Sequence, residues 1–210
     1  MRMSELSERS GVSVPSIKFY QREQLLHDGE HTSATQTSYD ETHVERLRLV
    51  RALIEIGGLS VSSVRAVLAA VEADIPLDWA FGVAQHAIPR SMEFEPGDEG
   101  DRGVAEVEAI VTARNWTVAP DNPGRAMAAR VIDSYVELGH EELLSVLPDY
   151  AEAASIIARV DLAAVGMSDT RAAMAETVVV GTVLGDALLA GLRRMAQESV
   201  SHHIYRKDQP

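Results

Sequence analysis

The stretch from Glu5 to Leu26, ELSERSGVSVPSIKFYQREQLL, constrains the chain more than any other, because its spacing forces two short helices around a tight turn. Met3 and Leu6 fall on one face of a first helix, and Gly11 can end it in the left-handed conformation that other residues resist. Val12 then offers a buried staple and Ser13 a hydroxyl cap for a second helix. Pro15 sits in that helix's first turn, where a missing N–H costs little. Ile17, Tyr20, Leu25 and Leu26 supply the inward face, leaving Ser16, Lys18, Phe19 and Arg22 outside. Two helices joined by a glycine turn, the second basic outside, form the unit that can enter a major groove. The plainer alternative is a helical hairpin whose Lys and Arg are merely solvated.

Residues 27–72 favour the groove-entering unit over the plain hairpin. His27 to Ser38 is polar and rich in Thr, Ser and Gly, the right length for a small β-hairpin wing. Asp40 caps a third helix carrying Val44, Leu47, Val50 and Ile54 at helical spacing, and Gly57-Gly58 end it. Ser60 caps a fourth, with Val61, Val64, Val67, Leu68 and Val71. Helix-turn-helix, wing and two amphipathic helices make a winged-helix layout.

Ile17-Lys18-Phe19-Tyr20-Gln21, after the Gly-Val-Ser turn, resembles the Ile-Arg-Tyr-Tyr-Glu-like strip of the MerR family of bacterial transcription regulators. Tyr39-Asp40 with Val44-Glu45-Arg46-Leu47 is similar to that family's wing exit and third helix, and Leu59-Ser60 to Leu68 to its fourth. The resemblance covers the first third of the chain and implies binding to double-stranded promoter DNA. It makes Lys18 and Arg22 the cationic contacts, with Ser13, Val14, Ser16, Phe19 and Tyr20 placing the helix on the groove. The wing departs from the family pattern: His31 and Thr35-Gln36-Thr37 stand where an Arg and a Gly-Tyr-Arg triplet are usual. Two phosphate contacts are then missing, which weakens non-specific affinity and flattens its salt dependence. Wing contacts fall instead to His31, Gln36, Thr37 and Tyr39.

Charge is unevenly divided over the 210 residues, whose net charge is -13. Met1 to Glu72 holds 8 of the 19 Lys/Arg and 10 of the 32 Asp/Glu, a balance of -2, so the remaining 11 and 22 leave -11 from Ala73 onward. An acidic second part repels DNA from itself and keeps the chain in solution. Zero cysteines exclude disulfides, thiolate metal sites and thiol switches. No signal peptide is recognisable, and the longest apolar stretch, Val178 to Leu192, is too short to span a bilayer and contains Asp186. A cytoplasmic protein without membrane association is expected.

After the fourth helix the chain leaves the family's usual course, in which one long helix pairs with its copy in an antiparallel coiled coil. Pro76 and Pro89 bracket only Leu77 to Ile88, and a proline inside a helix costs about 3 kcal/mol. Ser91 to Gly103 reads as an acidic linker. Beyond it the pattern predicts helices over Val104–Arg114, Pro123–Leu138, Glu141–Val165 with a start or kink at Pro148, and Ser168 to about Tyr205. The expected fold is mainly α: a winged helix-turn-helix DNA-binding domain (1–72), a short helix and acidic linker (73–103), and an all-helical C-terminal dimerisation and effector domain (104–210).

Apolar residues cover nearly the whole circumference of the last helix, so two layers must bury it. One is expected to be its own domain and the other a symmetry mate, through Val178, Gly181, Leu184, Gly185, Leu188 and Leu192. The helix is similar, without any discrete motif, to the dimerising helices of TetR-type regulators; a core helix of a monomer is the alternative. Trp79, Phe81, Trp116, Tyr135 and Tyr150 are candidates to line a pocket for a small apolar effector, or are plain core. No cofactor is expected and no metal, since His86, His140, His202 and His203 lack ligand spacing. No phosphate loop, nucleophile elbow or metalloprotease helix points to an enzyme. A sequence-specific homodimeric regulator is thus expected. In the resembling family such a dimer twists an overlong promoter spacer so that RNA polymerase engages both elements; repression by occlusion stays open. The competing class is an architectural protein with an excisionase-like winged helix and no effector.

Overall fold

A computed structural model describes residues 1–33, 36–73, 76–87, 100–167 and 169–205. Helix α1 (Met3–Ser10) ends at Gly11, whose φ of 70° and N–H bond to the Ser7 carbonyl close the helix in the left-handed form. Helix α2 (Val14–Arg22) starts on the Ser13 hydroxyl, which accepts from the Ser16 N–H at 3.2 Å. Strands β1 (Glu30–Ser33) and β2 (Gln36–Ser38) pair antiparallel, Glu30 opposite Ser38 and His31 opposite Thr37. Helices α3 (Glu41–Glu55) and α4 (Val61–Glu72) complete the winged unit, capped by Asp40 and Ser60. Each of these elements begins or ends where the caps and glycines predict.

The rest of the described chain is helical. It contains α5 (Leu77–Ala87), α6 (Asp101–Ala113), α7 (Pro123–Glu137), a 3₁₀ turn over Glu141–Val146, α8 (Leu147–Val165) and α9 (Arg171–Tyr205). The break before Pro148 falls where the sequence placed it, and α4 and α5 are separate helices on either side of Pro76. Thr35, Pro89, Ser168 and most of the expected linker lie outside the described residues.

Packing joins the two ends of the chain. One core cluster takes Leu25 from the end of the helix-turn-helix, Val50 and Leu53 from α3, Val64, Val67 and Leu68 from α4, Ala80 and Ala84 from α5, and Val178, Val179 and Val183 from α9. A second holds Leu6, Val12, Ile17, Leu26, Tyr39, Val44 and Leu47 under the helix-turn-helix. A third, much smaller, joins α6 and α7 through Val107, Ala129 and Ile132. The first half of α9 is therefore covered by the winged unit and α5 as well as by Val165 of α8, the helical region to which the sequence pointed. Apolar periodicity tells that a face is buried and cannot say against what.

A close approach in that packing is at Gly57, where an added Cβ would collide with a Val183 methyl and sit 2.7 Å from the Leu53 carbonyl. The backbone oxygen cannot rotate away as a side chain would. Gly57→Ala is therefore expected to cost about 1–3 kcal/mol, read as a lower urea midpoint at unchanged slope. A second joint is electrostatic. Gly100 has no side chain with which to cap α6, so Asp133 of α7 accepts from the N–H groups of Gly100 (2.8 Å) and Gly103 (2.7 Å). Asp133→Ala is expected to cost about 0.5–2 kcal/mol in thermal unfolding, the usual range for a lost cap.

By length and composition alone α9 could cross a membrane, and 22% of its most apolar window is buried. The helix outruns the apolar stretch seen in the sequence because Arg193, Arg194, Gln197 and Glu198 continue it rather than end it. Its second half leaves Leu188 62%, Leu192 51% and Met195 68% exposed.

Candidate nucleic-acid interface

The face that α2 presents is set by what α2 buries. Ile17 is fully buried beneath it, so Lys18 and Arg22, four apart on the helix, must project to solvent, with Phe19 37% exposed beside them. Ser13 and Ser16 share a hydrogen bond of 2.8 Å at the helix start, and no acidic residue occupies that first turn. The positive end of the helix dipole carries no acidic side chain, but Pro15 has no N–H and Ser13 caps that of Ser16, so the hydroxyls of Ser13 and Ser16 are the polar groups this end presents.

Ion pairing decides which cations are available. Arg9 binds Glu41 at 2.6 Å, Arg46 binds Glu72 at 2.5 Å, Arg51 binds Glu55 at 2.9 Å and Arg65 binds Glu23 at 2.7 Å, while Arg48 donates to the Arg9 carbonyl at 2.9 Å. Lys18 and Arg22 have no such partner among the described residues. The winged unit thus uses Arg9, Arg46, Arg48 and Arg65 to tie its helices together, while Lys18 and Arg22 on α2, like Arg2 before α1, are left without an ion pair among the described residues.

Several residues expected at the interface do structural work. Tyr20 is half-buried, packed against both large clusters, and its phenol is raised above the usual range by burial and then by the Glu55 carboxylate. Tyr39 is 6% exposed and core, where a wing contact was expected; Gln21 Nε2 donates to its hydroxyl at 3.4 Å. The reason is local, since β2 ends at Ser38 and the next side chain turns inward beneath α2. Val14 is half-buried at the start of α2. His31 and Gln36 are exposed on the wing, and Thr37 Oγ1 lies 3.3 Å from His31 Nδ1 across the strand pair.

One cluster was missed altogether. His27, Asp40 and His43 meet at the root of the wing, the two imidazoles stacked with centroids 3.9 Å apart. Asp40 and His43 cap α3 reciprocally, with His43 in the place Glu usually takes in a capping box. The Asp40 carboxyl is held well below the usual carboxylate range, first by the Thr42 hydroxyl and then by His43, and His27 is pushed down by burial and then by His43. The i, i+3 Asp-His spacing was the only signal in the sequence; nothing there brings His27 to it.

In the helical region three of the expected pocket aromatics have separate surroundings, and Trp116 and Tyr135 are half-buried. Trp79 lies on the surface of α5, Phe81 packs into the large cluster, and Tyr150 carries Arg193 over its ring at 5.6 Å. Of the residues expected at a two-fold contact, Val178 is buried inside the chain at 1% exposure, Leu184 and Gly185 are half-buried, and Gly181, Leu188 and Leu192 are exposed.

Residues 1–71 match the MerR HTH family regulatory protein model. The chain is 38% identical over 56 residues to Nodulation protein NolA of Bradyrhizobium elkanii, over 27% of this chain and 26% of that protein. The match thus spans only about a quarter of the curated relative's length. The crystal structure of SCO5550, a candidate transcriptional regulator from Streptomyces coelicolor A3(2), superposes with a TM-score of 0.71 at 31% identity, over 98% of each chain. A helix-turn-helix with its cations unpaired, its wing and its full-length structural likeness place this chain in the MerR family of transcriptional regulators.

Proposed function

We propose that the protein acts in the cytoplasm as a homodimer that binds promoter DNA sequence-specifically. Residues 1–72 read the duplex, 73–103 connect, and 104–210 carry dimerisation and the response to a small apolar effector. The observation that carries the DNA reading is the selective pairing of arginines, which leaves Lys18 and Arg22 on the outer face of α2. Protection of the region upstream of the protein's own gene in a footprint at low salt is the expected result; protection of no promoter DNA there would overturn it.

The dimer reading is supported by the outer stripe of α9. Gly181, Gly185, Leu188, Leu192 and Met195 recur at spacings of four and three along one stripe, and an added Cβ at either glycine meets nothing within 4 Å. A symmetry mate laid antiparallel on that stripe would bury exposed leucines and let two backbones approach at the glycines. Val178 takes no part in it. The distance between the two reading heads is then set by α9, since α5 is 11 residues long and lies in the core.

The effector reading is supported by α5, which belongs to the core beneath the winged unit and is also tied to α7, where Asn122 Nδ2 donates to Gln85 Oε1 at 2.9 Å. A ligand that shifts α7 would move α5 and so the base of the recognition unit. RNA polymerase is the partner implied by the family.

A further inference from the structure

We propose that His27, Asp40 and His43 form a binding site for a zinc-like divalent cation that clasps the root of the wing. An imidazole nitrogen from each histidine and a carboxylate oxygen of Asp40 all lie within 4.8 Å of one another. His27 precedes β1, Asp40 follows β2, and His43 is in the first turn of α3, so a shared ion would tie together the two ends of the hairpin.

The hydrogen bonds at this point are over-subscribed in a way that asks for positive charge. His43 Nδ1 lies 3.2 Å from the Asp40 backbone N–H, which can only donate to it, and 2.7 Å from Asp40 Oδ1, which can only accept. A lone pair on Nδ1 that satisfies the first faces a carboxylate lone pair in the second. A proton or a metal ion at Nδ1 removes the repulsion with the carboxylate, giving up the weaker 3.2 Å bond from the Asp40 N–H, and an ion can also use His27. The Thr42 hydroxyl donates its one hydrogen to Asp40 Oδ1 at 2.6 Å, so in its 3.0 Å contact with His27 Nε2 the histidine is the donor. With Nε2 donating, the neutral ring of His27 keeps its lone pair on Nδ1, the form a metal needs. His43 is 4% exposed, and its Nε2 lies 3.4 Å from the Asp28 carbonyl, the outer contact that orients a ligating ring.

Two imidazoles and one carboxylate without sulfur suit Zn(II), Co(II) or Ni(II) rather than Ca(II) or Cu(I). Zinc with bonds of about 2.0–2.1 Å wants its donors about 3.4 Å apart, so His43 Nδ1 and Asp40 Oδ1, now at 2.7 Å, must part slightly while the exposed His27 side chain rotates inward. The cleft beside the cluster, about 300 Å³, admits an ion and water from solvent and has Glu30 on its wall.

The test is a titration of the full-length chain with zinc chloride in a non-coordinating buffer, followed by calorimetry, with cobalt(II) absorption as a second reading of the ligand set. One zinc per chain and tetrahedral cobalt bands are expected. His27→Gln is expected to weaken zinc affinity at least tenfold while leaving the metal-free unfolding midpoint unchanged, and His202→Gln/His203→Gln to change neither. Zinc bound as tightly by His27→Gln as by the native chain would overturn the site, as would loss of binding in the His202/His203 variant or absence of stoichiometric binding. With no DNA in the titration, its outcome is separate from whether the protein reads DNA.

Discussion

Replacing Lys18 and Arg22 together by alanine is expected to lower affinity for the operator on the order of 10³-fold. Each cation that neutralises a phosphate or meets a base edge contributes about 1 kcal/mol or more, and a dimer presents four of them. The same change removes up to four counterion-release events, so the slope of log affinity against log salt becomes shallower by about 4. Anisotropy titrations of labelled operator over a salt series read both quantities. An unchanged slope would mean that these side chains face solvent in the complex, and that DNA is held elsewhere. The fold is expected to survive, because neither residue pairs with another charge in the described chain while Ile17 holds the helix from beneath.

Leu188→Glu with Leu192→Glu is expected to give a folded monomer whose operator affinity falls by about 10²–10⁴-fold. Two linked heads bind their second half-site at an effective concentration near the millimolar range, and a monomer loses that advantage. Both leucines are more than half exposed, so charging them leaves the core beneath α9 untouched. Sedimentation velocity gives the mass and the titration above gives the affinity. A variant that remains a dimer would move the two-fold contact off the α9 stripe, with the exposed Ile156 and Val160 of α8 as the next surface to charge.

The local half of this structure was legible in the sequence because caps, glycine turns and proline positions are short-range chemistry. Gly11, Ser13, Asp40, Ser60 and Pro148 each sit where their side chains or backbone freedom demand. Long-range packing was not legible. Tyr39 reads as a polar aromatic at a wing exit, and only the inward turn after β2 makes it core. Val178 reads as one more apolar residue on a helix that is apolar all round, and only the fold assigns it to the winged unit rather than a partner. His27 and His43 are likewise 16 apart in the chain and brought into ring contact by the wing between them. Truncation before α9 consequently cannot isolate a dimerisation element, since it would strip Val178, Val179 and Val183 from the core at the other end.

The seat of Val183 beside Gly57 also orders events during synthesis. The helix that would meet DNA and the cluster directly beneath it use only residues up to Leu47, yet the larger core behind them lacks its α9 wall until residues 175–183 have emerged. Contacts separated by more than a hundred residues close last and slowly. A nascent chain of this protein therefore carries a recognition helix on a small local cluster, with the larger core behind it unfinished until nearly all of the described polypeptide is free.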